Sequence, residues 1–117
     1  MYSIEIKGLD KLIRNFNKAP DLISREISEA IRKSSIYIQR ISKSESPYRT
    51  GNLRRSITIN TQPLVGRIYP TAPYAIFVEF GTRFMRANPF MGRARDKTQP
   101  IVREYFNRVI EKVVKEL

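Results

Sequence analysis

The sequence predicts an α+β fold: a small antiparallel sheet with a long helix from the N-terminal half and a C-terminal helix packed on one face. Three observations carry this. Apolar residues recur at steps of three and four from Ile23 to Ile41, two β-rich runs flank Gln62-Pro63, and a second helical stripe closes the chain.

Taken in order, Tyr2, Ile4 and Ile6 alternate with Ser3, Glu5 and Lys7, the period of a half-buried strand, and Gly8 ends it. Leu9, Leu12, Ile13 and Phe16 then fall on one face of a short helix. Pro20 suits a first helical turn and Asp21 favours the positive end of its dipole, so a longer helix opens there. Its apolar stripe is Ile23, Ile27, Ala30, Ile31, Ser34, Ile38 and Ile41, with Arg25, Glu29, Arg32, Lys33 and Arg40 on the polar side. The segment from Ser42 to Gly51 is polar and rich in breakers, which predicts a loop that is mobile in the free protein. Ser56–Thr61 and Leu64–Tyr69 form a hairpin, with Gly66 read as a bulge in its second arm. Tyr74–Phe80 is an apolar run that fits a strand or a short buried helix. It is read as a helical turn leading into an extended piece. Gly81–Pro89 is a second basic loop. The remainder is a helix carrying Val102, Tyr105, Phe106, Val109, Val113 and Leu117 on one stripe, and Pro100 is expected to start or kink it.

A chain of 117 residues fits one domain, residues 1–117, with a radius of gyration of about 13 Å expected of a compact fold. It has no histidine and no cysteine, which excludes imidazole or thiolate catalysis, the usual zinc sites and any disulfide framework. No cofactor is indicated. No apolar run reaches the ~20 residues of a membrane span, and the first residues alternate instead of forming a signal-peptide core, so synthesis in the cytosol is expected.

The net charge is +11, from 22 Lys and Arg against 11 Asp and Glu, and its distribution is uneven. Both ends of the chain are nearly balanced. Between Pro47 and Arg95 lie Arg49, Arg54, Arg55, Arg67, Arg83, Arg86, Arg93 and Arg95 with a single acid, Glu79. Every one of these cations is an arginine, whose rigid fork of donors suits phosphate or carboxylate, whereas a surface kept basic for solubility would mix in lysine.

Three segments are more specific than composition: Thr50-Gly51-Asn52-Leu53-Arg54-Arg55-Ser56-Ile57, Tyr74-Ala75-Ile76-Phe77-Val78-Glu79-Phe80-Gly81-Thr82, and Met85-Arg86-Ala87-Asn88-Pro89-Phe90-Met91-Gly92-Arg93-Ala94. In this order, and behind a strand, a Gly-Leu helix start and a long helix, they resemble the gene-product-ten-like family of tailed-phage neck proteins. These are also called tail-completion or head-tail joining proteins, and are phage or prophage encoded. The resemblance extends over essentially the whole chain. Gly92 and Pro100 depart from the family pattern and bear on the shape of the last helix. The resemblance implies a structural virion protein, made in the bacterial host cytoplasm, that forms a ring of identical subunits around the DNA channel between connector and tail, with no enzymatic activity. The family motifs make Thr50, Gly51, Leu53, Tyr74, Glu79, Gly81, Thr82, Pro89 and Phe90 interface candidates. Arg54, Arg55, Arg83, Arg86, Arg93 and Arg95 are candidates for lining the channel or meeting acidic partners.

Physical readings of single residues stand beside these. Gly51 and Gly81 sit where a left-handed backbone is expected, and Thr50 and Asn52 suit local hydrogen bonding of a turn. Glu79, alone among arginines, is expected to make an ion pair within the subunit or across a boundary, not to act as a catalytic acid. Tyr74, Phe77, Phe80, Phe84 and Phe90 are expected mostly in the core or at a subunit contact. A stand-alone basic nucleic-acid-binding module is the alternative function. It is supported by charge but lacks helix-turn-helix, zinc or aromatic-sheet signatures. A small nuclease or toxin has the least support, for want of an acid cluster.

Overall fold

The computed structural model describes residues 2–9, 14, 20–47 and 51–116. Alternating apolar residues bring three antiparallel strands together: β1 (Ile4–Ile6), β2 (Ile57–Gln62) and β3 (Val65–Pro70), in the order β1-β3-β2. Ile68 faces Ile4 on one side and Ile59 on the other, so one apolar row crosses the whole sheet. Gln62 pairs with Val65 and closes the hairpin expected at this point. The short helix expected over Leu9–Phe16 falls largely outside the described residues.

Helix α1 (Pro20–Glu45) covers the sheet. Ile23, Ile27, Ala30, Ile31, Ser34 and Ile38 are buried, and the five charged residues assigned to the polar side are exposed. The helix does not stop at Ser42, as the polar composition there suggested. Ser42 is buried, Ser46 N–H donates to its carbonyl at 3.1 Å, and the Ser44 and Ser46 hydroxyls donate to the Ile41 and Lys43 carbonyls at 2.7 Å each. The Ser44 and Ser46 hydroxyls are thus satisfied locally and Ser42 is small enough to be buried, so a run of serines that read as a breaker extends the helix instead.

Gly66 makes no bulge; it pairs in register with Ile6 and Thr61. A Cβ at Gly66 would lie 2.4 Å from Ser35 Oγ and 3.0 Å from Ile31 Cγ2, so the glycine lets α1 approach the strand backbone. A one-turn helix, α2 (Asn52–Ser56), precedes β2 and takes in Ser56, which the sequence pattern had placed in the strand. Residues Ala75–Phe80 are helical throughout, as α3, and the extended piece expected at their end is not formed. Helix α4 (Phe90–Glu116) begins well before Pro100, so the proline does not start it; Pro100 sits on the exposed side of the helix interior.

Helices α1 and α4 run antiparallel. Ile23, Ile27 and Ile31 share a cluster with Phe106 and Val113, while at the other end Glu45 meets Arg93 and Lys97. A second cluster joins the first turns of α4, through Phe90, Met91 and Ala94, to Ile4, Ile68, Ile38, Leu53, Ile57 and Ala75. Each long helix spans about 40 Å. They outrun the short strands, which makes the molecule 56 × 22 × 21 Å with a radius of gyration of 16.5 Å, larger than the compact expectation.

Candidate functional site

The second motif folds around one carboxylate. In α3 the spacing of four puts Ala75 and Glu79 inward and leaves Ile76, Phe77 and Phe80 outward. Glu79 is 5% exposed; its Oε1 accepts the Met91 N–H at 2.9 Å and its Oε2 the Gly92 N–H at 3.1 Å. Those are two of the donors that the first turn of α4 leaves without an intrahelical acceptor, at the positive end of its dipole. The Asn88 carbonyl takes the Phe90 N–H and the Pro89 carbonyl takes that of Arg93, so the start of α4 is fully satisfied. The ion pair expected for Glu79 is thus replaced by a cap. A Cβ at Gly92 would stand 3.3 Å from Glu79 Oε2, which accounts for a small residue at that position. Tyr2 donates its hydroxyl to the Ala75 carbonyl at 3.1 Å and meets Phe80 edge-on at 5.4 Å; burial, and then the Glu79 charge, push its phenol well above the ordinary range.

Gly81 ends α3 with φ +76° and donates to the Phe77 carbonyl. A Cβ there would meet Ala87 N at 2.7 Å and Met85 O at 2.9 Å, so both backbone conformation and space demand glycine. The chain then makes a tight turn in which Thr82 and Met85 exchange two backbone hydrogen bonds, Thr82 Oγ1 accepts the Phe84 N–H, and Asn88 N–H returns to the Val78 carbonyl. The result is a braced finger with Phe84 at its tip, 88% exposed, and the Arg83 guanidinium 5.1 Å above the ring.

The three motifs meet at this place. Gly51, Asn52 and Leu53 from the first, Tyr74 and Val78 from the second, and Met85, Arg86 and Asn88 from the third border an open groove of ≈ 570 Å³. Of the interface candidates, Gly51, Leu53 and Tyr74 line it. Glu79, Gly81, Pro89 and Phe90 do not line it but fix the end of α3 and the start of α4, and Thr82 closes the finger turn. Thr50 lies outside the described residues, as does Arg49. The Asn52 side-chain carbonyl accepts from Arg55.

Of the two places expected for the aromatic residues, the core holds just one. Only Phe90 of the five is in the core; Tyr74, Phe77, Phe80 and Phe84 are exposed. The arginines also divide. Arg93 is committed within the chain, to the Glu45 carboxylate at 3.0 Å, the Glu45 carbonyl at 3.1 Å and Asn88 Oδ1 at 2.7 Å, and so acts as a tie between α1 and α4. With Lys97 it holds the Glu45 carboxyl below its usual range, the Lys97 hydrogen bond being the larger cause. Arg54 reaches the Ser46 carbonyl, Arg67 pairs with Glu5 at 3.7 Å, and Arg95 makes an exposed pair with Asp96 at 3.3 Å. Arg83 and Arg86 flank the finger. No signal in the sequence linked Glu79 to a helix start twelve residues on, because such a cap depends on tertiary folding.

A family model described as "Bacteriophage HK97-gp10, putative tail-component" matches residues 10–81. The match takes in the first motif and the second as far as Gly81, a shorter span than the resemblance led one to expect. No curated protein and no solved structure matches the chain.

Proposed function

From the premise that this chain belongs to the HK97-gp10-like bacteriophage family, and is therefore a phage structural protein, we propose that it acts at the head-tail junction. In this reading copies of the chain associate around the DNA channel, docking to the connector on one side and to the tail on the other. The role is joining, without catalysis or a cofactor.

One observation carries the proposal beyond the family: segments of the family motifs build an exposed apolar surface, Tyr74, Ile76, Phe77, Phe80 and Phe84, on a rigid support. Taking about 200 Å² per ring, the four aromatics alone leave roughly 500 Å² of side chain in contact with water. Exposed apolar area of that amount, concentrated in one short helix and the turn after it, supports an interaction site there. Glu79, Gly81 and the Thr82–Met85 bonds fix its shape before any partner arrives, which lowers the ordering cost of association.

The test is deletion of the gene from the phage or prophage that encodes it, followed by electron microscopy of the induced lysate. The expected result is DNA-filled heads and complete tails that are not joined, with joined virions restored by the gene in trans. Normal yields of joined virions without the gene would contradict the proposal.

A further inference from the structure

The molecule carries a second apolar surface, and it is concave. Between α1 and α4 an open groove of ≈ 650 Å³ is lined by Tyr37, Pro100, Ile101 and Tyr105, with Glu104 at its edge. Its wall includes Ser34, 3% exposed, whose hydroxyl has no hydrogen-bond partner among the described residues. Ile101 is half exposed. The groove is remote in sequence from the finger and is built from different elements.

We propose that the Phe84 finger of one copy seats in the α1/α4 groove of a second copy. The inference rests on the self-association put forward above and names the two surfaces that would make it. A closed ring of identical subunits needs two different, mutually complementary patches on each chain. This chain has one convex and one concave apolar patch. Finger-to-finger contact is opposed, because it would set Arg83 and Arg86 against their own copies, and the only carboxylate between Pro47 and Arg95, Glu79, is buried beneath. The groove instead offers aromatic walls for the Phe84 ring. Glu104 is paired with Arg108 at 3.3 Å and Lys33 also borders the groove, so charge does not draw the finger in and the apolar area must carry the contact. Phe84 alone brings on the order of 180 Å² of this exposed aromatic area, so the ~800 Å² per partner of a standard interface requires the outward residues of α3 to join the finger in the contact.

The cysteine-free chain permits a direct test. Phe84→Cys and Ile101→Cys replace exposed residues, so the fold is retained, as circular dichroism would verify. Full-length Phe84→Cys mixed with Ile101→Cys under mild oxidation should give a disulfide-linked heterodimer at least tenfold above Phe84→Cys mixed with Lys112→Cys. The double variant should give a ladder ending in a closed species. Yield should persist at 0.5 M salt, on the order at which exposed charge contacts are screened. Crosslinking no better than the control, in protein shown by mass measurement to self-associate, would overturn the finger-groove contact while leaving self-association intact. A yield abolished by salt would overturn the apolar contact in favour of an acidic protein or DNA as the finger's partner. Absence of self-association, both free and on the purified connector, would overturn this contact together with the reading beneath it.

Discussion

Glu79 shows how one side chain serves the candidate site without touching a partner. Its carboxylate joins α3 to the first turn of α4 through two backbone N–H groups, in a buried setting where unmade hydrogen bonds are expensive. Glu79→Ala leaves both donors without an acceptor and should lower stability by about 2–4 kcal/mol. Glu79→Gln keeps one acceptor and should cost about half as much. Urea unfolding measures both, and equal stability of all three proteins would mean that the cap contributes nothing. Glu45 gives a pH signature. Hydrogen bonds from Lys97 and Arg93 depress its folded-state value, so its contribution is complete above the unfolded carboxylate value and is lost as pH falls through the folded one. Stability should therefore be flat in this respect near neutrality and fall below roughly pH 4. In Glu45→Gln that part of the acid dependence should vanish, which thermal melts at stepped pH would register.

At the level of elements, the contact of α1 with β3 is set by the absence of a side chain. Gly66→Ala places a methyl 2.4 Å from Ser35 Oγ and should cost about 1–3 kcal/mol. Ser35→Ala removes that oxygen, leaving Ile31 Cγ2 at 3.0 Å, so the double variant should recover part of the loss. A double-mutant cycle by urea unfolding should give a coupling of about 1 kcal/mol, whereas additive effects would deny the contact. Sequence periodicity sufficed for α1, α4 and the hairpin because each repeats an apolar pattern over several turns or alternations. It failed for α3, where the run Tyr74–Phe80, apolar but for Glu79, fits strand and helix alike and where four of its six apolar residues face water. It also failed at Ser42–Glu45, where Ser44 bonds back to its own helix and Ser42 is buried, and at Gly66, where a glycine needed for space looks like one needed for a bulge. The candidate site was legible as three motifs. Their meeting in one groove, the finger and the Glu79 cap depend on contacts distant in sequence that no local pattern encodes.

For the whole molecule, two long helices carry most of the acids, and a central arginine-rich segment holds the exposed aromatics. Arg83 and Arg86 separate the two places where such charge is useful. At a subunit boundary, as the finger-groove contact requires, changing both to Ala should leave non-specific DNA binding and its salt dependence unchanged. Residues lining the channel would instead lower the salt slope by about one for each lost phosphate contact, a difference that fluorescence titration over a salt series resolves.

The central claim is that this family member joins head to tail. A cryo-electron-microscopy reconstruction of the head-tail junction in purified virions of the encoding phage tests it most directly. The expected result is a ring of identical copies between connector and tail into which this fold docks, with each Phe84 finger against the next copy's α1/α4 groove. Density at the junction that excludes this fold, or virions that lack the protein, would contradict it.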